Sequence, residues 1–322
     1  MEEFKAHYSV LKDEIISHIK QMNKSELMVV DLTFGGGGHS FATLEALPKA
    51  NVIGVDQDPE AFVNGQKLIA ASPYASRIKI LKMNFEQFYD WKKSQAPELK
   101  VDAVVMDLGV SSHHFDSPER GFSFLHDGPL DMRMAHDDQD KVTAKEIVNE
   151  FSEEDIADII YQYGEDRLSR VIARNIVAAR KIKPIETTKD LENIIFHAYP
   201  AKARHQSTHP ATRTFQALRI FVNQELSVLE KTLPKMYDIL ADDSIICVIS
   251  FHSLEDRIVK NVFKNIYQNN PEEVKIITKK PIIPGEKELA ENRRSRSAKL
   301  RILMKTKEGQ VEKKYNKGPK RK

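Results

Sequence analysis

The sequence predicts a doubly wound, Rossmann-like α/β fold that is interrupted by an inserted all-helical domain. Two observations support this fold class. Four short apolar segments alternate with helical patterns through the first third of the 322-residue chain, and buried parallel strands read as such apolar runs between crossover helices. The alternation then stops for a long helical stretch and resumes beyond it, which is typical of a domain inserted into a sheet.

The first third of the chain supplies four strands and the helices between them. The apolar runs predict strands at Met28–Phe34, Asn51–Asp56, Arg77–Met83 and Asp102–Leu108. Patterns of helical period predict helices at Ser40–Leu47 and Pro59–Ala71. Strands that alternate with helices in this way pair in parallel, so the carboxyl ends of all four are expected at one edge of the sheet.

The middle of the chain predicts the insertion. Residues 110–134 are rich in Gly, Pro, Ser and His and indicate an ordered loop, and residues 143–198 have a helical pattern, with an N-terminal cap at Ser152, a stop at Gly164 and a further helix over Glu165–Lys181. We therefore expect a discontinuous sheet domain formed by residues 1–109 and 210–306. Residues 110–209 would form an inserted helical domain that recognises the substrate, and residues 307–322 a basic tail.

The last third returns to the sheet pattern. A long helix is predicted over Thr212–Leu240, a fifth strand over Ser244–Phe251, a helix over Leu254–Ile266, and a final strand pair at Val274–Ile277 and Lys299–Lys305. The single cysteine, Cys247, falls inside the fifth strand and is expected to be an inert core residue. One cysteine excludes an internal disulfide framework and a multi-cysteine zinc site.

Composition and charge narrow the class of protein further. Hydrophobic residues make up 41% and charged residues 30% of the chain, as in ordinary globular proteins. No apolar run is long enough to span a bilayer and no secretory signal is visible, so we expect a cytoplasmic protein. The net charge is only +2, but residues 307–322 contain seven basic and two acidic residues. Such a tail suits an arm that follows a polyanion, or a solvated terminus without a partner.

A glycine-rich loop and an aspartate predict a nucleoside-bearing cofactor. The first strand leads into Gly35–His39, immediately before a helix, and the next strand ends in Asp56. Glycines let the backbone approach a ligand closely, and a carboxylate at that strand end can accept hydrogen bonds from both hydroxyls of a ribose. Nicotinamide dinucleotides and S-adenosylmethionine both fit this arrangement.

Two features favour S-adenosylmethionine over a dinucleotide. The loop does not follow the spacing of the three glycines in the dinucleotide fingerprint. Asp31, four residues before the loop, would attract an ammonium or sulfonium group and repel a pyrophosphate. Asp107, which ends the fourth strand, is then expected to face the reacting methyl group, and Phe85, after the third strand, to lie against the adenine ring.

The sequence resembles the bacterial 16S rRNA cytosine-N4 methyltransferases, the small-subunit methyltransferase H (MraW) family. The resemblance rests on long ungapped motifs that run in order through most of the chain: His7–Leu11, Asp31–Ser40, Asp107–Ser112, Glu119–Phe124, Asp127–Met134, His209–Asn223, Ser250–Arg257 and Arg293–Arg301. It implies a Rossmann-like, S-adenosylmethionine-dependent methyltransferase fold. It also implies N4-methylation of a cytidine in the decoding centre (P site) of 16S rRNA, with the assembled small subunit as the substrate.

The resemblance also implies which residues hold the cofactor. Carried over one by one, the family's contacts fall on Gly37, Gly38, His39, Asp56, Phe85, Asp107 and His114. One departure is visible, since the family usually has Pro-Gln where this chain has His113-His114. An imidazole can still donate or accept a hydrogen bond at that position.

For the chemistry, we expect Asp107, or the carbonyls of the following turn, to accept a hydrogen bond from the target amine. Six further residues are candidates for substrate binding, each with a structural alternative: Phe122 and Phe124 would stack on the base or anchor their loop, His252 and Ser253 would position the base or cap a helix, and His209 and Arg213 would contact phosphate or pin the loop. Methyl transfer needs no metal, and we expect none. A nicotinamide oxidoreductase and an RNA-binding assembly factor on a degenerate fold remain alternative interpretations.

Overall fold

A seven-stranded sheet forms the centre of the protein. The computed structural model describes residues 9–205 and 208–307. Its strands are β1 (Leu27–Asp31), β2 (Ala50–Asp56), β3 (Ile78–Lys82), β4 (Val101–Asp107), β5 (Leu240–Ser250), β6 (Val274–Ile276) and β7 (Lys299–Lys305), and their order across the sheet is β3-β2-β1-β4-β5-β7-β6. The first five strands are parallel, whereas β7 runs antiparallel to both β5 and β6. The predicted doubly wound fold is confirmed.

Helices cover both faces of the sheet and form the insertion. They are α1 (Lys12–Gln21), α2 (Gly38–Ala46), α3 (Pro59–Ala71), α4 (Phe85–Gln95), α5 (Ser112–Asp116), α6 (Ala144–Glu150), α7 (Glu153–Gly164), α8 (Ser169–Arg180), α9 (Thr188–Ala198), α10 (Ala211–Asn223), α11 (Glu225–Ile239), α12 (Ser253–Asn269) and α13 (Glu286–Glu291). Short 3₁₀ turns occupy Pro118–Arg120, Ala201–Ala203 and Arg293–Ser297. No helix in the described ranges is long and apolar enough to cross a membrane.

The sheet has a buried apolar layer on each side. On one face, strand residues pack with Phe88 of α4, Leu229 of α11 and Val259 of α12. On the other, they pack with Ile15 of α1 and Leu44 of α2. Burial on both faces explains why the central strands are almost continuously apolar. The β1–β5 strands are therefore fixed firmly enough to hold side chains at their carboxyl ends in place.

The insertion has an apolar core of its own. Residues of α6–α9 pack into one cluster that is separate from the two sheet layers. Ser152 caps α7 by accepting a hydrogen bond from the Asp155 amide at 3.1 Å, as predicted, and α7 ends at Gly164. Helix α10 belongs to this cluster through residues such as Leu218, so its packing indicates a helical unit that extends to Asn223. The boundary after residue 209 stays a prediction.

Four segments differ from the sequence-based expectation. The single helix expected over Thr212–Leu240 is two helices, because Gln224 between them adopts a left-handed backbone with φ of 51°. The predicted loop at residues 110–134 contains α5 and a 3₁₀ turn, and α1 and α4 were not predicted at all. Cys247 is fully buried, and burial raises the pKa of its thiol, as expected for an inert core residue. Most of the basic tail lies outside the described residues.

Candidate active site

A cavity of about 630 Å³ opens at the carboxyl edge of the sheet. Its walls come from the ends of β1, β2, β4 and β5, from the start of α4, and from the junction of α10 and α11. In an open parallel sheet this edge is where ligands bind, because the loops that follow the strands meet there. The volume is in the range of small-molecule sites. Both the sheet unit and the helical insertion contribute side chains to it.

Asp56 lies at the cavity wall at the end of β2. Its Oδ2 accepts a hydrogen bond from the Gly35 amide at 2.7 Å, and its Oδ1 accepts one from the Asp58 amide at 2.9 Å. Each carboxylate oxygen has a further lone pair for a ligand hydroxyl. Burial raises the pKa of Asp56 to about 7, although both amides oppose the shift. The predicted ribose acceptor is thus oriented by the glycine loop itself.

The glycine loop supplies backbone geometry as well as space. Gly35 and Gly37 have φ of 50° and 77°, in the left-handed region that favours glycine. A Cβ on Gly37 would lie 2.7 Å from the Phe41 ring and 2.8 Å from the Phe34 ring. Gly38 and the neighbouring loop residues line the cavity, whereas Gly37 does not. Gly37 therefore shapes the loop from behind the wall.

Asp31 does not lie where the charge argument placed it. The residue is 1% exposed and does not line the cavity, because its Oδ2 accepts a hydrogen bond from Ser40 Oγ at 2.7 Å beneath the loop. Burial raises the pKa of Asp31, while the nearby His39 opposes the shift. Asp31 therefore lies behind the cavity wall, next to His39, and its attraction for a cationic ligand stays a prediction.

His39 and Asp107 are neighbours in the cavity wall. His39 Nε2 lies 3.3 Å from Asp107 Oδ2. Burial by itself would lower the pKa of His39, but Asp107 and Asp31 raise it, so the imidazolium form is favoured. Asp107 Oδ1 is buried and has no hydrogen-bond partner within the described residues. A buried acceptor without a partner in a cavity wall indicates a place for a ligand donor.

Phe85 and its neighbour Asn84 line the cavity at the start of α4. Asn84 caps this helix by accepting a hydrogen bond from the Gln87 amide at 2.9 Å. The cap fixes the first turn, and Phe85 is the first residue of that turn. The ring therefore stands in the cavity wall at the start of α4, and its contact with adenine stays a prediction.

His114 lines the cavity from α5 and is held by two contacts. Its Nδ1 accepts a hydrogen bond from the Ser111 amide at 3.2 Å, and its Nε2 lies 2.7 Å from Asp58 Oδ2. An accepting Nδ1 leaves the proton on Nε2. Burial lowers the pKa of His114, although Asp58 opposes the shift. The imidazole is thus neutral, and Asp58 holds it against the cavity.

Arg120 ties the loop after β4 to the start of α3. Its guanidinium, 4% exposed, lies 3.0 Å from both Asp58 Oδ2 and Glu60 Oε2 and donates to the Met134 carbonyl at 2.9 Å. Burial would raise the pKa of Asp58, but His114 and Arg120 hold it well below its usual range. This buried ion-pair cluster connects the sheet unit to the insertion directly behind the cavity.

The residues predicted to bind the substrate are only partly brought together here. His252 lines the cavity, and its Nε2 is buried 3.1 Å from Glu255 Oε1. Five others lie outside the wall: Phe122, Phe124, His209, Arg213 and Ser253. Phe122 packs edge-on against His114, and Phe124 stacks on His209 with ring centroids 4.8 Å apart. The packing of the Phe122 and Phe124 rings favours the alternative in which they anchor the loop after β4.

Several cavity residues were not predicted from the sequence. Phe115 lines the cavity with the Arg294 guanidinium 5.5 Å from its ring centroid, and Leu125 does so while 78% exposed. Arg219 donates to both carboxylate oxygens of Glu225, at 2.8 and 2.9 Å, across the break between α10 and α11. The signal that could have found Arg219 was its place in the motif at residues 209–223.

The described residues contain no group of three or more His, Cys, Asp or Glu side chains that could hold a metal ion. They do fit S-adenosylmethionine. Asp56 can accept the ribose hydroxyls, Phe85 can cover the adenine, and the unpartnered Oδ1 of Asp107 offers an acceptor and a negative charge near a sulfonium. His39 and His114 complete the wall around this position.

The sheet order, with an antiparallel β7 inserted beside β5, and this cavity define an S-adenosylmethionine-dependent methyltransferase of the Rossmann-like class. The comparisons with known proteins identify the family within that class. The chain belongs to the MraW methylase family, whose model matches residues 4–306.

Curated relatives agree with the family model. The chain is 47% identical to the ribosomal RNA small subunit methyltransferase H of Prochlorococcus marinus (strain MIT 9515) over 300 residues, which cover 92% of this chain and 95% of the relative. It is 45% identical to the protein of the same name from Persephonella marina, with 92% and 98% covered. It is 44% identical to ribosomal RNA small subunit methyltransferase H 2 of Agathobacter rectalis, with 94% and 99% covered.

Proposed function

We propose that this methyltransferase transfers a methyl group from S-adenosylmethionine to the exocyclic N4 amine of a cytidine in the decoding centre (P site) of 16S rRNA, within the small ribosomal subunit in the cytoplasm. The names of its relatives, small-subunit rRNA methyltransferases, support the RNA substrate. The observation that carries the proposal for an amine is the buried, unpartnered Oδ1 of Asp107 in the wall of the cavity.

When bound, S-adenosylmethionine supplies an electrophilic methyl group on a sulfonium. The residues of this chain have to position the amine and accommodate the charge that develops on it. The N4 nitrogen of cytosine is a weak nucleophile because its lone pair is delocalised into the ring. A fixed acceptor that binds an amine hydrogen strengthens as the nitrogen becomes positive, and so stabilises the transition state more than the ground state.

Asp107 is suited to that role because its two oxygens do different work. Its backbone amide donates to Thr33 Oγ1 at 2.7 Å, which fixes the end of β4. Its Oδ2 faces His39 Nε2 at 3.3 Å, and this contact orients the carboxylate and leaves Oδ1 for the amine. The transferred amine must also lose a proton, and Oδ1 is the acceptor that we assign to it.

His252 places an imidazole ring in the cavity wall. Its Nδ1 accepts from the Glu255 amide at 3.4 Å, so the proton sits on Nε2, which faces Glu255 Oε1 at 3.1 Å. Glu255 is itself fixed by the Phe251 amide, which donates to its Oε2 at 2.8 Å. Because Glu255 holds both ring nitrogens, we assign His252 the role of a fixed wall that positions the target base.

The decisive experiment is mass spectrometry of small-subunit rRNA from cells with and without this protein. The proposal expects the loss of one N4-methylated cytidine on deletion and its return when purified protein and S-adenosylmethionine are added to small subunits. A second arm compares Asp107→Ala with the wild type in single-turnover transfer at saturating donor. We expect a loss of about 10²–10³-fold, as for removal of one preorganised group. Near-full turnover in the variant would exclude Asp107 as the acceptor.

A further inference from the structure

A second cavity lies in the insertion, outside the methyl-transfer site. It has a volume of about 280 Å³ and sits between the turn that joins α7 to α8, the end of α9 and the start of α10. Arg167 and Arg213 line it. Asp166 also lines it, but this carboxylate is 2% exposed and accepts hydrogen bonds from Tyr199 Oη and the Leu168 amide. The accessible part of the second cavity is therefore basic.

The basic character continues along α8. Arg167 is exposed in the turn just before α8, and Arg170 and Arg174 are exposed four residues apart on one side of that helix. None of the three has an ion-pair partner within residues 9–205 and 208–307. Some exposed cations elsewhere are paired, as Lys82 is with Asp137. Three unpaired guanidinium groups in a row cost electrostatic repulsion, which a polyanion relieves.

An exposed aromatic side chain lies on α7, the helix that packs against α8. Tyr161 is 61% exposed on the last turn of α7, next to the turn that leads to Arg167. Helices α7 and α8 pack against each other through their apolar faces. Aromatic rings beside arginines are the surface that unpaired bases and phosphates both bind, since the ring stacks and the guanidinium pairs.

A chain of hydrogen bonds through Glu165 links the second cavity to the residue next to the methyl-transfer cavity. Arg213 donates to the Glu165 carbonyl at 3.1 Å, and Ser253 Oγ donates to the Glu165 carboxylate at 2.5 Å. Ser253 directly follows His252, which lines the first cavity. Along α10, Arg213 and the cavity residue Arg219 are six residues apart, or about 9 Å at 1.5 Å per residue.

We propose that Arg167, Arg170 and Arg174, with Tyr161 and the second cavity, form an anchoring site for the RNA strand next to the target nucleotide. The guanidinium groups bind consecutive phosphates, and Tyr161 stacks on an unpaired base. The anchor holds the strand against the insertion while the target base enters the methyl-transfer cavity. This inference rests on the proposed function for the identity of the RNA, but not for the binding itself.

The test measures how salt affects binding of small-subunit rRNA to the full chain. The triple variant replaces three arginines with glutamine, and a matched control removes the same charge from exposed lysines of the sheet unit: R167Q/R170Q/R174Q and K20Q/K49Q/K67Q. Each phosphate contact contributes about 0.7 to the slope of log Kd against log salt for single strands. When salt rises about fourfold, wild-type affinity should therefore fall about 20-fold more than that of the arginine variant.

The arginine variant should also have a higher KM for small subunits, with unchanged affinity for S-adenosylmethionine in calorimetry as the check on its folding. The lysine control should keep the wild-type slope. Equal slopes for the wild type and the arginine variant would overturn the anchor, and so would a defect seen with assembled subunits but not with bare RNA, which would indicate a ribosomal protein partner. A wild-type protein that binds RNA with the expected slope but transfers no methyl group would refute the proposed function alone.

Discussion

We expect the titration of Asp56 to make the affinity for S-adenosylmethionine depend on pH. Its pKa of about 7 means that roughly a tenth of the protein has an ionised Asp56 at about pH 6, and roughly nine tenths at about pH 8. The carboxylate is the better acceptor for ribose hydroxyls. If only that form binds the donor well, the affinity rises about tenfold over this range and levels off above it.

The pH dependence that Asp56 gives to the stability of the fold is opposite in sign to the pH dependence it gives to donor binding. The folded-state pKa of Asp56 is raised above the unfolded value of 3.8, so the folded state favours the protonated form. The stability contributed by this group is present below the unfolded pKa and is lost as pH rises through about 7. The pH range in which the donor binds best is therefore the range in which an ionised Asp56 is costly to bury, and the bound ribose compensates part of that cost.

Calorimetric titration of S-adenosylmethionine from about pH 6 to pH 8 tests this reasoning with two variants. Asp56→Asn keeps the size and one acceptor but loses the charge, so the affinity should fall by about 1.5–3 kcal/mol, or about 10–100-fold, and no longer depend on pH. Glu98→Gln, on the exposed surface, should behave as the wild type. A wild-type affinity that is flat over this range refutes the argument. A full slope in Asp56→Asn would assign the titration to His39 instead.

Three further predictions concern stability and reactivity. Gly37→Ala should lower the free energy of unfolding by at least ~1–2 kcal/mol in urea denaturation, since φ is positive and Phe34 and Phe41 crowd the new Cβ. The control Gly285→Ala, whose new Cβ has nothing within 4 Å, should change the free energy of unfolding by less than about 0.5 kcal/mol. Arg120→Met should cost about 3–5 kcal/mol because the partly compensated Asp58 carboxylate stays buried, and a thermal shift no larger than that of a surface substitution would contradict this. Cys247 should resist alkylation in the native protein and react only on unfolding, as followed by intact-mass spectrometry. Rapid labelling of the native protein would show that β5 is accessible to the reagent and would contradict this prediction.

Much of the sheet could be predicted because burial on both faces leaves a simple signal. The helix at Pro59–Ala71 was predicted with the observed bounds, since Asp58 caps it and proline occupies its first position. Strands were placed within a few residues, because apolar runs and turn residues bound them on either side. The residues at strand ends, Asp56 and Asp107, can therefore be assigned to one edge from the sequence alone.

The other features of the fold and the site depend on tertiary contacts that no local sequence pattern encodes. The break at Gln224 has neither glycine nor proline to mark it, while Pro234 inside α11 does not end that helix. Phe122 and Phe124 lie near the site in sequence, but their rings pack with the insertion. Asp31 has the charge that a sulfonium would favour, yet Ser40 from the following helix binds it beneath the loop. Each outcome is decided by a tertiary neighbour.

The position of the insertion relative to the methyl-transfer cavity is fixed by buried polar contacts on two sides. Behind the cavity, Arg120 joins the loop after β4 to Asp58 at the start of α3. At the break between α10 and α11, the Arg219–Glu225 pair spans the two helices, and Asn223 donates to the Met132 carbonyl at 2.7 Å.

Polar contacts of this kind tolerate little displacement, because a buried charge that loses its partner is costly. If the RNA strand binds the insertion as proposed, it is therefore held at a set distance from the carboxyl ends of β4 and β5. We then expect the helical unit to contribute to specificity through geometry, by determining which nucleotide of a bound strand can reach Asp107.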